Sequence, residues 1–337
     1  EENAALCNTS GGYRRIMAKE IGGYFQLEEM PGKEYYSDLY RVNLGRTALL
    51  WLLQSRGCKK VILPYFLCES VVHTCQENQI QTEFYHLNEK LEVIYPKKQL
   101  TNGEYLYLVN YYGQLTDSKI LEYKRIYENI IVDHTHAFFQ KPLEGIDTLY
   151  SCRKFWGVSD GAYLSTEAQL TENNISDYSA ERMKHILGRY EQDAGTYYKD
   201  MLANAAKYDG MEIRQMSRLT QNLLKAVDYD SAKERREQNY QILRELLPSE
   251  NIFNEIIPEG PFAYPYFHTN GSELRRRLAT KKIFVPTYWK NIIENCEKNS
   301  LEYTWAANIL PLPCDQRYDA EDMKYMAAVV RECEELK

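Results

Sequence analysis

An acid and a lysine, each following a strand-like run, are the residues of this sequence whose types and spacing predict chemistry. The apolar, β-branched run 130–132 ends on Asp133. A second strand-like run ends at Ser151 and leads into Lys154, which a glycine-containing turn, 157–161, follows. Ligands of open α/β sheets bind at the carboxyl ends of the strands. An acid and a lysine there suggest a pyridoxal phosphate (PLP) site, in which the lysine holds the cofactor aldehyde as a Schiff base and the acid keeps the pyridine nitrogen protonated.

Both residues also have an ordinary structural interpretation. Most lysines are solvated, but Lys154 lies between the apolar and aromatic pairs 149–150 and 155–156, so we expect its backbone to be buried. Desolvation lowers the pKa of an ammonium group and makes the neutral amine available for carbonyl chemistry. Asp133 is either the partner of a pyridine nitrogen or a turn-forming acid at the end of a strand.

Histidines and a helix start extend the predicted site. His136 is either a buried histidine or a contact of the cofactor ring or its phenolic oxygen, and a metal site with His134 lacks a third ligand at suitable spacing. The sequence 45–48, Gly-Arg-Thr-Ala, opens a predicted helix, whose free N–H groups and positive dipole end suit a phosphate. Ordinary capping is the alternative for this helix start. Ser151 either adds a hydroxyl to that phosphate or ends a strand.

Composition limits the class of protein. The chain has 337 residues, 44% hydrophobic and 26% charged, with a net charge of −7 and a pI near 5.6, which disfavours nucleic acid and anionic membranes as partners. The sequence contains no run of about 18 apolar residues, and its first residues lack the apolar core of a signal peptide. Eight cysteines without a Cys-x-x-Cys pair indicate reduced thiols in a cytoplasmic protein and no metal site.

Hydrophobic periodicity predicts an α/β protein of two domains. Short apolar runs alternate with helical patterns, which implies crossover connections and a large, mostly parallel sheet. We expect a large domain with an N-terminal lead over residues 1–230, and a smaller C-terminal α+β domain over 231–337. Strands are predicted at 60–64, 82–86, 104–110, 130–133, 261–269 and 283–288, and a further strand-like run ends in 151–154. Helices are predicted at 45–53, 70–77, 119–129, 233–247, 272–281 and 320–336, with further helices between 177 and 222.

Taken in order, these motifs resemble the DegT/StrS aminotransferases, a family of fold-type I PLP enzymes, over about residues 45–318. IIVDHTHAF is similar to the acid-x-x-Gln/His motif of that family, and YSCRKFWGVSDGAYL to its Ser…Lys…Gly-Asp-Gly segment, with Ser159 in place of the first glycine. GRTALL, KVILPYFLCESVV, YLVNYYGQLTD, FVPTYW and ILPLPCDQRYDAEDM resemble further segments of the family.

The resemblance assigns roles to individual residues. Lys154 would be the Schiff-base lysine and would shuttle protons between cofactor carbon and substrate. Asp133 would pair with the pyridinium nitrogen, and His136 would lie against the cofactor. The phosphate would be bound by Ser151, Arg46 and Thr47. Cys68 falls where the family often stacks an aromatic ring on the cofactor, a function that Phe66, Tyr111 or Tyr112 would otherwise serve.

The resemblance also implies an activity. An aminotransferase of sugar biosynthesis would move nitrogen from an amino donor such as glutamate to a keto acceptor such as a nucleotide-linked keto-sugar, as a homodimer without nucleic-acid or membrane partners. Two alternatives stay open: another PLP-dependent reaction on an amino acid or acyl substrate, or a non-catalytic PLP-fold protein that binds a ligand or partner.

Overall fold

An eight-stranded sheet organises the described part of the chain, which in this computed structural model comprises residues 21–96, 99–248 and 252–335. The chain divides into two units, Glu1–Met30 and Pro31–Lys337. Residues 21–30, the described part of the first unit, contain no helix or strand. The signal-peptide expectation concerns residues 1–20, which lie outside the described residues.

The predicted parallel sheet is confirmed. Its strands are β1 (Tyr40–Val42), β2 (Lys60–Pro64), β3 (Gln81–Leu87), β4 (Val93–Ile94), β5 (Glu104–Val109), β6 (Ile130–Asp133), β7 (Asp147–Ser151) and β8 (Ala162–Ser165). They are arranged in the order β1-β8-β7-β6-β5-β2-β3-β4. The central pairings from β7 to β3 are parallel, and those involving β1, β8 and β4 are antiparallel. Strand β6 is buried along its whole length, as expected of a strand covered on both faces.

Helices separate the strands and extend beyond them. Those of the first half are α1 (Gly45–Ser55), α2 (Glu69–Glu77) and α3 (Asp117–Tyr127). Those that follow are α4 (Lys184–Glu191), α5 (Tyr198–Ala206), α6 (Arg218–Leu224), α7 (Tyr229–Leu246), α8 (Gly271–Thr280), α9 (Lys290–Asn295), α10 (Leu301–Asn308) and α11 (Ala320–Glu335). None of the helices in the described ranges is long and apolar enough to cross a membrane.

The two faces of the sheet pack into different apolar clusters. Ile131 and Leu149 belong to the cluster that contains the buried face of α1, whereas Val132 and Tyr150 belong to the cluster on the other face. Successive residues of a strand point to opposite faces. Asp133 therefore shares its face with Ile131, and Ser151 shares its face with Leu149, both on the side of α1.

The last third of the chain builds a second, smaller sheet. Strand β9 (Tyr264–Phe267) pairs antiparallel with β10 (Ile309–Leu312), and a third apolar cluster joins them to α7, α8 and α11. The domain boundary between residues 230 and 231 stays a prediction, and it falls just inside the start of α7.

One predicted element is wrong. Residues 283–288 were expected to form a strand, and the structure has no strand and no sheet pairing there. Pro286 has no N–H to donate to a ladder, and Trp289 adopts a left-handed backbone conformation with φ of 55° that turns the chain into α9. This segment lines the site described below.

Candidate functional site

Asp133 and Lys154 lie at the same edge of the sheet, at the carboxyl ends of neighbouring strands. Asp133 is the last residue of β6 and lies opposite Leu149 of the parallel neighbour β7. Strand β7 ends at Ser151, and a single 3-10 turn, Cys152–Lys154, follows it. Because the carboxyl ends of parallel neighbours meet at one edge, the short turn brings Lys154 close to Asp133. Each of the two charges affects the pKa of the other group.

Asp133 is a buried carboxylate held by two donors. Its exposed fraction is 7%. The hydroxyl of Tyr107 donates to Oδ2 over 2.8 Å, and the backbone N–H of Thr135 donates to Oδ1 over 2.8 Å. Burial raises the pKa of Asp133, while these hydrogen bonds and the charge of Lys154 act in the opposite direction. A carboxylate oxygen can accept more than one hydrogen bond, so the group can still receive a donor from a ligand.

Lys154 lines a cavity of about 390 Å³. Its Nζ lies 4.8 Å from the centre of the Tyr288 ring and 5.9 Å from that of Phe262. The side chain touches solvent inside the cavity, yet protein atoms crowd around it, and this loss of hydration lowers its pKa. Arg153 lowers the pKa further, whereas Cys68 and Asp133 oppose the shift. Among the described residues, the amine has no hydrogen-bonded partner, so it is accessible for reaction.

His136 presents an unsatisfied nitrogen beside this lysine. Its side chain is 5% exposed and stacks on Phe262, with ring centres 4.2 Å apart and planes inclined by 15°. Burial and the charge of Lys154 hold its pKa well below the usual value, so the ring is neutral. Within the described ranges, Nδ1 is buried without a hydrogen-bond partner. This nitrogen can therefore form a hydrogen bond with a ligand.

The start of α1 holds two of the residues predicted to bind a phosphate. The hydroxyl of Thr47 is buried, lies 2.6 Å from Oδ1 of Asn43 and accepts from the backbone N–H of Leu44 over 3.2 Å. Thr47 therefore caps the helix with its side chain and can offer a ligand its backbone N–H. Arg46 forms an ion pair of 2.7 Å with the exposed Asp209. Ser151 is half-buried on the α1 side of the sheet.

Cys68 is the candidate for ring packing that lies near Lys154. It immediately precedes α2, is exposed, and raises the pKa of the lysine through its charge. Phe66, Tyr111 and Tyr112 are instead fully buried in an aromatic cluster, in which the hydroxyl of Tyr111 donates to the carbonyl of Phe66. Their burial favours Cys68 over these rings as the residue facing a ligand.

The Ser-Asp-Gly turn after Lys154 has a structural function. Asp160 is fully buried and accepts hydrogen bonds from the backbone N–H of Ser217, over 2.7 Å, from its hydroxyl, over 2.8 Å, and from Thr220. Gly161 has φ of 110°, and a Cβ there would lie 3.0 Å from Thr220 and 3.2 Å from Cys152. These contacts tie the turn to the start of α6.

Several residues of the site were missed by the sequence interpretation. Tyr107 is one polar group in a strand rich in tyrosine, and the sequence gives no sign that its hydroxyl reaches Asp133. Arg236 was placed on an amphipathic helix, but it is 1% exposed and donates to the carbonyls of Pro261 and Phe155 over 2.9 Å and 3.2 Å. Arg153 adjoins Lys154 in sequence, which was the available signal for its presence at the site.

Comparisons of the fold find aminotransferases, some of them described as sugar aminotransferases. Three similar structures are a DegT DnrJ EryC1 StrS aminotransferase from Brucella abortus, the sugar aminotransferase CalS13 from Micromonospora echinospora, and DesI, solved in the presence of its TDP-sugar product. Their sequence identities are 14%, 12% and 12%, with TM-scores of 0.57, 0.55 and 0.58. Each alignment covers 87% of this chain. It covers 85%, 87% and 80%, respectively, of the three known structures.

No family of known proteins and no curated relative matches the sequence itself. The resemblance read from the motifs is thus confirmed at the level of the fold: the α/β architecture with its large, mostly parallel sheet is that of the DegT/StrS aminotransferases.

Proposed function

We propose that this protein is a PLP-dependent aminotransferase that uses Lys154 as its covalent cofactor attachment. The observation that carries the proposal is the pair formed by Lys154 and Asp133 at one edge of the parallel sheet, on a fold shared with sugar aminotransferases. An amine of lowered pKa and a buried carboxylate are the two groups that PLP chemistry requires of a protein.

The side chains fit this cofactor. PLP supplies an aldehyde that condenses with amines and a protonated pyridine ring that accepts electrons from a substrate carbon. Lys154 offers the accessible amine, and Asp133 offers a carboxylate for the pyridine nitrogen. The orphaned Nδ1 of His136 is a hydrogen-bonding group for the ring substituents. Arg46, Ser151 and the N–H groups at the start of α1 would hold the phosphate.

Each residue then has a task in the transfer of nitrogen. Lys154 is held partly desolvated, so a larger share of it is neutral and able to take a proton from the substrate carbon and return it elsewhere. Asp133 would hold the ring nitrogen in its protonated form when the cofactor is bound, and Tyr107 helps to keep Asp133 ionised by donating a hydrogen bond to it. The rings of Tyr288 and Phe262 lie beside the amine and form part of the cavity wall.

The substrates proposed are glutamate as amino donor and a nucleotide-linked keto-sugar as acceptor. Support comes from the structural neighbours, since CalS13 is described as a sugar aminotransferase and DesI was solved with its TDP-sugar product. We place the protein in sugar biosynthesis on the same ground.

We further propose that the protein works as a homodimer in the cytoplasm. Exposed apolar side chains are concentrated around α4 and α5, including Tyr178 and Tyr190, which are 83% and 92% exposed. Such a surface is typical of a protein–protein contact. The seven cysteines of the described ranges are all free thiols, as expected of a reducing compartment. Sedimentation velocity would test the dimer, and a monomer at micromolar concentration would contradict it.

A half-reaction screen tests the proposed function. Purified protein loaded with PLP is mixed with single amino donors, and the absorbance of the aldehyde form is followed. Conversion to the amine form by glutamate, and its reversal by a keto-sugar nucleotide, would support an aminotransferase. Stable PLP binding without conversion by any donor would favour another PLP-dependent reaction. A protein that takes up no PLP would favour the non-catalytic binding protein.

A further inference from the structure

Arg153, the residue before Lys154, is held against a fixed aromatic ring. Its guanidinium carbon lies 3.8 Å from the centre of the Tyr208 ring. Tyr208 is 2% exposed; its hydroxyl donates to the carbonyl of Ser159 over 2.5 Å and accepts from Nδ2 of Asn204 over 2.7 Å. A planar guanidinium stacked on a ring keeps its N–H groups available in the plane. Stacking on Tyr208 therefore fixes the orientation of Arg153 and leaves its N–H groups available to a ligand.

The carboxylates near Arg153 are bonded to other residues. Arg46 pairs with Asp209, and Arg182 pairs with Asp177 over 2.5 Å. The carboxylate of Asp160 accepts from Ser217 and Thr220. In the described part of the chain no carboxylate lies within ion-pair distance of Arg153, which thus adds an uncompensated positive charge.

Two further arginines influence the charge of this guanidinium. The side chain of Arg153 reaches solvent, but the protein atoms packed around it reduce its hydration and lower its pKa. The charges of Arg46 and Arg182 lower this pKa further, whereas Tyr208 and Asp160 oppose the shift. Nε of Arg182 is buried without a hydrogen-bond partner among the described residues. Arg46 and Arg182 are neutralised by Asp209 and Asp177, whereas Arg153 has no such partner among the described residues. An anion bound at Arg153 would neutralise this remaining charge.

The position of Arg153 indicates which anion. Arg153 lines the same cavity as Lys154, and Arg46 lies in the first turn of α1. A helix start with free N–H groups and guanidinium forks is suited to a phosphate, whose three terminal oxygens accept several donors at once. We propose that Arg153 binds a phosphate group in the Lys154 cavity, and that the cofactor supplies this phosphate. The second part rests on the proposed function.

The experiment compares PLP with pyridoxal, which lacks the phosphate but has the same aldehyde and ring. Dissociation constants of both are measured for the wild type, Arg153→Gln and Arg317→Gln. Arg317 lines the same cavity but is paired with Asp315 through bonds of 2.7 Å and 2.8 Å, so it controls for the loss of any positive charge. Circular dichroism and thermal unfolding check the fold of each variant.

We expect Arg153→Gln to weaken PLP binding by about tenfold to a hundredfold, the range for a charge-assisted hydrogen bond, and to leave pyridoxal binding unchanged. Arg317→Gln should keep the wild-type ratio of the two constants. Arg153→Lys keeps the positive charge but loses the planar guanidinium, so we expect a smaller loss of PLP affinity than in Arg153→Gln. This variant tests the proposal if Arg153→Gln does not fold. An unchanged ratio in both Arg153 variants would overturn the assignment to the cofactor.

Titration of cofactor-free protein with inorganic phosphate separates this proposal from the proposed function. If the wild type binds neither PLP nor pyridoxal, the aminotransferase proposal fails, and the phosphate site is judged by this titration alone. Loss of inorganic phosphate binding in Arg153→Gln would then support the site and point to a phosphate-bearing substrate as its source. Equal binding by wild type and variant would overturn it.

Discussion

Tyr107 donates a hydrogen bond of 2.8 Å to Asp133 from the neighbouring parallel strand. The two strands are in register so that Tyr107 lies opposite Ile131, and both side chains of the bonded pair emerge on the α1 face. Burial alone would push Asp133 towards its neutral form, which holds a protonated pyridine poorly. The tyrosine hydroxyl opposes this shift because it stabilises the ionised carboxylate. The acid thus depends on a residue from the adjacent strand.

Replacing Tyr107 with Phe should make cofactor binding more sensitive to acid. The pKa of Asp133 rises when the hydrogen bond is lost, so the carboxylate becomes protonated at a higher pH. We expect PLP affinity to fall by roughly tenfold near neutral pH, the value of one hydrogen bond to a charged group. Titrations between pH 5 and pH 8 measure it. Tyr105→Phe, on the same strand, is the control, and identical pH profiles for the two variants would contradict the role of Tyr107.

Lys154 should lose its proton more readily than a surface lysine. Burial and Arg153 lower its pKa, whereas Glu321 raises the pKa of the exposed Lys324. The neutral amine is the reactive form, so acetylation of Lys154 should reach half its maximum at a lower pH than acetylation of Lys324. Competitive labelling of the cofactor-free protein with peptide mass spectrometry measures both. The prediction would be contradicted if acetylation of Lys154 reached half its maximum at the same pH as that of Lys324 or at a higher pH.

Cys68 should be the described cysteine that alkylates first. It is exposed, whereas Cys58 and Cys296 are half-buried and the other described cysteines are buried. Because Cys68 lies close to Lys154, bound PLP should slow its reaction with iodoacetamide severalfold, while the reaction of Cys296 stays unchanged. Peptide-resolved mass spectrometry with and without PLP measures this. Equal rates for Cys68 in both samples would place it away from the cofactor.

Arg236 should contribute more to stability than its neighbour. It is buried in α7 and bonds to the carbonyl of Phe155, next to Lys154, and to that of Pro261. Arg236→Met removes both of these hydrogen bonds and the one to Oε1 of Gln316, although Nε2 of Gln316 still donates to the carbonyl of Phe155. We therefore expect the free energy of unfolding to fall by about 2–4 kcal/mol. Arg235→Met, at an exposed position on the same helix, should change it by less than about 0.5 kcal/mol. Urea unfolding measures both, and equal losses would contradict the prediction.

The sequence was informative where local pattern decides structure. The continuous apolar run before Asp133 fixes a buried strand, and the starts of α1 and β2 at Gly45 and Lys60 agree with the prediction. The segment 283–288 has β-branched and aromatic residues typical of a strand, but Pro286 and the left-handed Trp289 prevent pairing. Here the aromatic pattern reflected packing against the site instead of a sheet.

Contacts between distant segments were beyond the sequence. Thr47 carries a hydroxyl suited to a phosphate, yet that hydroxyl caps its own helix through Asn43. The contact of Arg153 with Tyr208 joins residues that are far apart in the chain, so no sequence periodicity predicts it. Sequence patterns report which face a residue occupies, whereas partners across the fold depend on how the elements pack.

Borohydride reduction of the PLP-loaded protein tests the central claim most directly. Reduction fixes the cofactor to the amine that holds it, and peptide mass spectrometry then identifies that lysine. The structure predicts that the label is on Lys154, and that Lys154→Ala folds, takes up PLP weakly and gives no labelled peptide. A label on another lysine with Lys154 unmodified, or Lys154→Ala with undiminished turnover, would contradict the account.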